Sequence, residues 1–180
     1  MSKERVLVTG ANGYIGTCVI NELIRRGCTP VACDVNFSNL PDTVERLEAD
    51  IFAPDKTIYE KTGKPDCLIH LAWRNGFQHN ADTHLGDLPA HMRFLQNMAE
   101  AGLKKLSVMG SMHEVGYWEG AITADAPTNP LSYYGIAKNA LRQALEVMQV
   151  LPCSGRLDVW GYPRSFRSRT PMQASPTRYS

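Results

Sequence analysis

Two groups of residues in this chain have the types and spacing to do chemistry. The first is Thr9-Gly10-Ala11-Asn12-Gly13-Tyr14-Ile15-Gly16. It follows the short apolar run Val6-Leu7-Val8 and opens an amphipathic pattern with Ile15, Val19 and Leu23 on one face. Strand, glycine turn and helix in that order make a dinucleotide-binding βα unit. Gly10 allows the tight turn, Gly13 lets the backbone approach a pyrophosphate, and Gly16 lets the helix pack closely on the strand. The free N–H groups and positive dipole end of that helix then face the phosphates. An acid, Asp34, closes a second apolar run, Val31-Ala32-Cys33. A carboxylate there accepts bonds from the adenosine ribose hydroxyls and repels a 2′-phosphate, so NAD is expected rather than NADP.

The second group is Ser111, Tyr134 and Lys138. Tyr134 and Lys138 stand four apart at the start of a helical pattern, so they share a face. An ammonium beside a phenol, with a cationic nicotinamide nearby, stabilises the phenolate. The tyrosine can then take a proton from a carbinol as hydride leaves, or run the reverse. Ser111 follows a strand, at the carboxyl edge where ligands bind in open α/β sheets, and its hydroxyl can hold the substrate oxygen. Tyr133 lies five before Lys138 and would face elsewhere.

The elements that must position these groups alternate. Strands are expected over 5–9, 30–35, 44–49, 66–71 and 105–110, and helices over 13–26, 54–62, 83–101 and 131–150. Met92, Leu95, Met98 and Ala99 are expected on the inner side of the third helix. This is the pattern of an α/β fold with a doubly wound parallel sheet, Rossmann-type. Residues 1–150 are expected to form an NAD-binding domain. Residues 151–180 read as a basic, Pro/Ser-rich, poorly ordered tail with five arginines against one acid and no strand or helix period.

The net charge of +1 gives no steering toward nucleic acid or membrane. No run is long and apolar enough for a transmembrane helix. The five cysteines show no metal-ligand spacing and read as core residues or free thiols, so no metal is expected. The N-terminus enters a strand at once, without a signal-peptide pattern. A cytoplasmic location is expected.

Together TGANGYIG (9–16), Asp34, Asp50-Ile51, His70-Leu71-Ala72, Ser111 and Tyr134/Lys138 resemble the extended short-chain dehydrogenase/reductases, the NAD-dependent epimerase/dehydratase family, over roughly residues 4–148. The resemblance implies that Tyr14 and Ile15 offer backbone N–H groups to the pyrophosphate and that Asp50 and Ile51 contact the adenine. Leu71 and Ala72 would line the path to the nicotinamide, and Lys138 would also bond its ribose. The implied activity is hydride transfer on a nucleotide-sugar, most often at C4. Alternatives are a reductase of a keto-sugar or other carbonyl, and a non-catalytic dinucleotide-binding module. Members of the family continue well past the Tyr134 helix, so the chain is expected to be C-terminally truncated and to lack the substrate domain. That would leave a sheet edge and a helix face uncovered, which invites a homodimer.

Several positions depart from the family's pattern. Val108-Met109-Gly110 precede Ser111 in place of further serines, and Val115-Gly116-Tyr117 replaces Tyr-Gly. Gly86-Asp87 stands near the usual asparagine, and Met112-His113 stands where the 4,6-dehydratases carry Asp-Glu. Epimerase or reductase chemistry is therefore expected over elimination. His113 and Glu114 are candidate substrate contacts. Arg74, in the loop after the fourth strand, is a candidate partner for a phosphate. His70 reads as a core histidine.

Overall fold

Along β1 (Arg5–Thr9) successive side chains are buried on opposite faces of one sheet. Val6 and Val8 join Ala32 and Ile20 in one apolar cluster, while Leu7 joins Leu68, Leu95, Leu106 and Leu141 in another. A strand buried on both faces needs helices on both sides, and that requirement produces the doubly wound architecture. The computed structural model describes residues 3–53, 55–123 and 126–148, and the backbone of 158–160.

The elements run β1, α1 (Tyr14–Arg25), β2 (Thr29–Asp34), β3 (Glu45–Glu48), α2 (Ile58–Lys61), β4 (Cys67–His70), α3 (Thr83–Glu100), β5 (Lys105–Val108), α4 (Tyr133–Met148) and β6 (Asp158–Trp160). The sheet order is β3-β2-β1-β4-β5-β6. Every neighbouring pair is parallel, with Leu7 opposite Val31 on one side and Leu68 on the other. The chain winds outward from β1 to β3, returns to lay β4 beside β1, and winds outward again. That reversal opens a crevice at the carboxyl ends of β1 and β4.

Four expectations need correction. On α1 the core face is Gly16 and Ile20 with Val19 and Leu23, and Ile15 points outward. On α3 Met92 is exposed, and His84, His91 and Phe94 join Leu95, Met98 and Ala99 inside. The inner stripe starts one residue off the expected one because it is built around histidines, which carry no hydrophobic signal. After Leu151 no strand was expected, yet the backbone of Asp158–Trp160 pairs with Lys105–Ser107. Three residues are too few to show a period, and the open edge of β5 supplies the partner. The rest of the expected tail lies outside the described residues. The helix expected over 54–62 is a single turn.

Cys18, Cys28, Cys33 and Cys67 are free thiols. Burial pushes Cys33 up to about 12, which leaves it an inert core residue. Among the described residues no helix is long and apolar enough to cross a membrane.

Candidate active site

The glycine loop is built by close contact. At Gly10 the backbone takes φ +66°, and a Cβ would lie 2.7 Å from Ala72 N, where the chain leaves β4. At Gly16 a Cβ would lie 2.2 Å from Gly10 O and 2.6 Å from Ala11 O. Neither position can hold a larger residue without moving backbone. The first helical bond of α1 runs from Thr17 N to Gly13 O at 2.9 Å, so the N–H groups of Tyr14, Ile15 and Gly16 precede the ladder. The Tyr14 and Ile15 side chains point to solvent.

This loop forms one wall of an open cleft of about 570 Å³. Gly10, Gly13, Asp34, Asp50, Ile51, Leu71 and Ala72 all line it. Asp34 sits at the end of β2, where its Oδ2 accepts from Asn12 N at 2.9 Å and its Oδ1 from Val35 N at 2.8 Å. Asn12 also accepts from Asn39 N at 2.8 Å and bonds the Asn36 side chain. It therefore ties the glycine loop to the β2–β3 connection. The sequence reading passed over Asn12; the available signal was an amide, both donor and acceptor, between two turn glycines.

At the cleft's other end Arg74 does not reach toward a free anion position. Its Nε donates to Asp87 Oδ2 at 2.8 Å, and its guanidinium lies 4.4 Å from the Phe52 ring centroid. The pair clips the β4 loop to α3.

The second group assembles on a 3-10 turn, Met112–Glu114, that begins two residues beyond the expected strand end. Ser111 caps it: Ser111 Oγ accepts from His113 N at 3.3 Å, and Ser111 N donates to Glu114 Oε1 at 2.7 Å. Glu114 is buried, with its other oxygen 3.4 Å from Arg142 Nε. Its carboxylate is engaged inside the turn, by Ser111 N and Arg142, and of the two readings open to it from sequence the structure favours a supporting role for Ser111. Helix α4 begins directly against the turn. A Cβ on Gly135 would meet His113 O at 2.3 Å, so the glycine brings Tyr134 beside Ser111 and His113.

Around Tyr134 stand the rings of His113 (5.4 Å between centroids), His84 (5.2 Å), His79 (5.8 Å) and Trp73 (5.9 Å). His113 is half-buried, and desolvation with His79 nearby holds its pKa below the ordinary value. It presents a neutral imidazole at neutral pH. Lys138 follows one turn later, 5% exposed, with Nζ donating to Met109 O at 2.7 Å. Burial lowers its pKa to about 8, against the opposing pull of Glu114. Lys138 does not line the cleft itself; Trp73 does, and Lys138 Nζ lies 4.0 Å from its ring centroid.

His70 takes the core role expected of it. Its Nδ1 is 2.8 Å from Thr9 Oγ1, and its Nε2 is 2.9 Å from Nδ1 of the equally buried His91. Desolvation, with His91 beside it, holds His70 well below its ordinary pKa, and desolvation with Lys138 nearby lowers His91 to about 4. Both are neutral in the fold, whereas the unfolded chain takes up protons below about pH 6.5. Stability is therefore intact above that pH and is lost as pH falls toward 4. His91 alone is expected to cost about 3 kcal/mol at pH 4. Urea unfolding at pH 7 and pH 4.5 measures it; an unchanged midpoint would show that the pair is protonated in the fold. All five histidines of the chain take part in this site: 70, 79, 84, 91 and 113.

The chain matches the family model of the NAD dependent epimerase/dehydratase family over residues 6–154. It is 43% identical over 145 residues to the dTDP-6-deoxy-L-talose 4-dehydrogenase (NAD(+)) of Aggregatibacter actinomycetemcomitans, covering 78% of this chain and 53% of that protein. It is 28% identical over 151 residues to a UDP-glucose 4-epimerase of Mycolicibacterium smegmatis, covering 76% and 48%. Among solved structures, MoeE5 in complex with UDP-glucuronic acid and NAD superposes with a TM-score of 0.72 at 25% identity, over 87% of this chain and 53% of MoeE5. The chain thus spans about half the length of the curated relatives it matches. A glycine loop packed against the end of β4, an acid at the end of β2 and a tyrosine–lysine pair beside a capped serine are the parts that this match covers, and the chain belongs to the NAD-dependent epimerase/dehydratase family.

Proposed function

We propose that this chain carries the cofactor-binding and proton-transfer part of an oxidoreductase that oxidises or reduces a carbinol carbon, most often C4, of a nucleotide-sugar. The observation that carries this reading is the packing of Tyr134 against the Ser111 turn with Lys138 buried one turn later. The donor set of the cleft suits a dinucleotide: backbone N–H groups of Tyr14 and Ile15 for the pyrophosphate, Asp34 for the adenosine ribose, Asp50 and Ile51 for the adenine. Leu71 and Ala72 flank the nicotinamide path. When bound, NAD supplies the hydride acceptor or donor.

The protein's own residues do the rest. Ser111 holds the substrate oxygen, and Tyr134 takes or gives the proton on that oxygen. Lys138 supplies the positive charge that favours the phenolate and a donor for the ribose. The 43% identical 4-dehydrogenase supports net oxidation and reduction at C4 over elimination. The inward turn of Glu114 supports the same choice, because it removes the carboxylate nearest Ser111 from the substrate side.

The test is NADH formation by the purified protein with NAD and a panel of dTDP- and UDP-hexoses. Turnover with one of them supports the reading. Saturable NAD binding without turnover of any would leave a dinucleotide-binding module.

Cofactor preference has its own test. Asp34→Asn keeps an oxygen for Asn12 N but removes the charge. A hydrogen bond to a charged group is worth about 1.5–3 kcal/mol, so NAD should bind roughly ten- to a hundredfold more weakly. NADP should bind more tightly than to the parent protein. Unchanged affinities for both would remove Asp34 from the ribose site.

A further inference from the structure

Trp73 leaves the end of β4 and is held on several sides. Its Nε1 donates to His84 Nδ1 at 3.1 Å. His91 stacks on the indole with centroids 4.4 Å apart and planes 13° from parallel. Tyr134 meets it edge-on at 5.9 Å. Both histidines belong to α3, so the indole is fixed by a helix other than the one bearing Lys138.

Lys138 is a flexible four-carbon chain ending in three donors. Its hydrogen bond to Met109 O accounts for one of them. Glu114 pulls on its charge from the turn below, but Ser111 N and Arg142 already engage that carboxylate. His70 on β4 and His91 on α3, both neutral, face it from the sheet side, and Tyr134 faces it along its own helix. Among the described residues the Trp73 ring also lies close, 4.0 Å from Nζ. At that distance the ring's quadrupole attracts a cation, and more strongly when water is excluded.

We propose that Trp73 is the positioning residue for Lys138. Its indole, anchored by His84 and His91, carries the ammonium at a fixed place one helical turn from Tyr134. Its catalytic consequence rests on the function proposed above, whereas the contact itself does not.

The experiment is side-chain NMR of the lysines in the purified protein without nucleotide, with the Lys138 signal assigned by Lys138→Arg. In the unaltered protein the Lys138 methylene protons beside Nζ should lie upfield of those of the other lysines, shifted by the indole ring current. Trp73→Phe keeps an aromatic face, so the upfield position should remain and the titration should move by less than about half a unit. Trp73→Leu keeps bulk but has no ring, so the upfield shift should vanish. The titration should then fall by about one unit, the equivalent of a desolvated cation–π contact.

An unshifted Lys138 in the unaltered protein overturns the proposal, and that reading does not depend on either Trp73 variant. A Leu variant that titrates with the parent also overturns it, because the indole would then only fill space. NAD titration of the same samples separates the two claims. A parent protein that shows the ring-current shift but does not bind NAD sinks the proposed function and leaves the Trp73–Lys138 contact standing.

Discussion

Tyr134→Phe is expected to lower turnover by about 10²–10⁴-fold, the usual contribution of a positioned acid–base group, with NAD affinity unchanged. Only one hydroxyl is removed. The ring contacts to Trp73, His79, His84 and His113 do not depend on it, and Gly135 still seats the helix on the Ser111 turn. Serine and lysine remain, so the loss measures proton transfer rather than collapse of the site. The pH dependence follows from Lys138, whose burial lowers its pKa to about 8. Below that value the ammonium is present and supports the phenolate. As pH rises through it the support is lost, so turnover of the unaltered protein should decline on the alkaline side. NADH formation across pH 6–10, beside an NAD titration of both proteins, checks both points. A Phe variant that keeps the parent's rate would remove Tyr134 from the mechanism.

Gly16→Ala is the second large effect. The added carbon would sit 2.2 Å from one backbone oxygen and 2.6 Å from another. No side chain can swing aside, so α1 must retreat from the loop that it closes. Overpacking of this kind costs about 1–3 kcal/mol, and occasionally more where only backbone can yield. The same retreat displaces the Tyr14 and Ile15 N–H groups, so NAD affinity should fall by more than tenfold. Gly86→Ala is the contrast. Gly86 lies inside α3 with nothing within 4 Å of a new Cβ. Replacing glycine by alanine in a helix gains about 1 kcal/mol. Urea unfolding and NAD titration of the two variants should move in opposite directions for stability and differ sharply for binding. A Gly16→Ala protein that binds NAD like its parent would show that the loop is not the pyrophosphate site.

That the glycine loop and Asp34 line one cleft was legible because the logic is local. Gly10, Gly13 and Gly16 act within one turn, and Asp34 closes the strand next in the chain and next in the sheet. The Tyr134/Lys138 pair was legible for the same reason, since a helix places residues four apart on one face. What surrounds the pair was not. Glu114 was a candidate substrate contact, yet its carboxylate reaches back to Ser111 N because a 3-10 turn needs a cap. Arg74 was a candidate for a phosphate, yet Asp87, thirteen residues on, already pairs with it. Met92 was expected in the core, yet the stripe through His84, His91 and Leu95 is buried in its place, since partners elsewhere satisfy the imidazoles.

Periodicity and turn chemistry in the amino-acid order set β1 to β5, most of the helices, the parallel winding and the two groups of candidate residues. These depend on backbone hydrogen bonding and on burial that alternates over a few residues, and both are written along the chain. The fold alone decided that three histidines, from a loop, from α3 and from the 3-10 turn, would meet around one tyrosine, and that an indole from the loop after β4 would lie beside a lysine of α4. Trp73 and Lys138 are far apart in sequence, and nothing in the spacing of either reports the other. Their contact exists because parallel winding lays α3 beside α4 over the ends of β4 and β5, where burial leaves the ammonium a carbonyl and a ring for company.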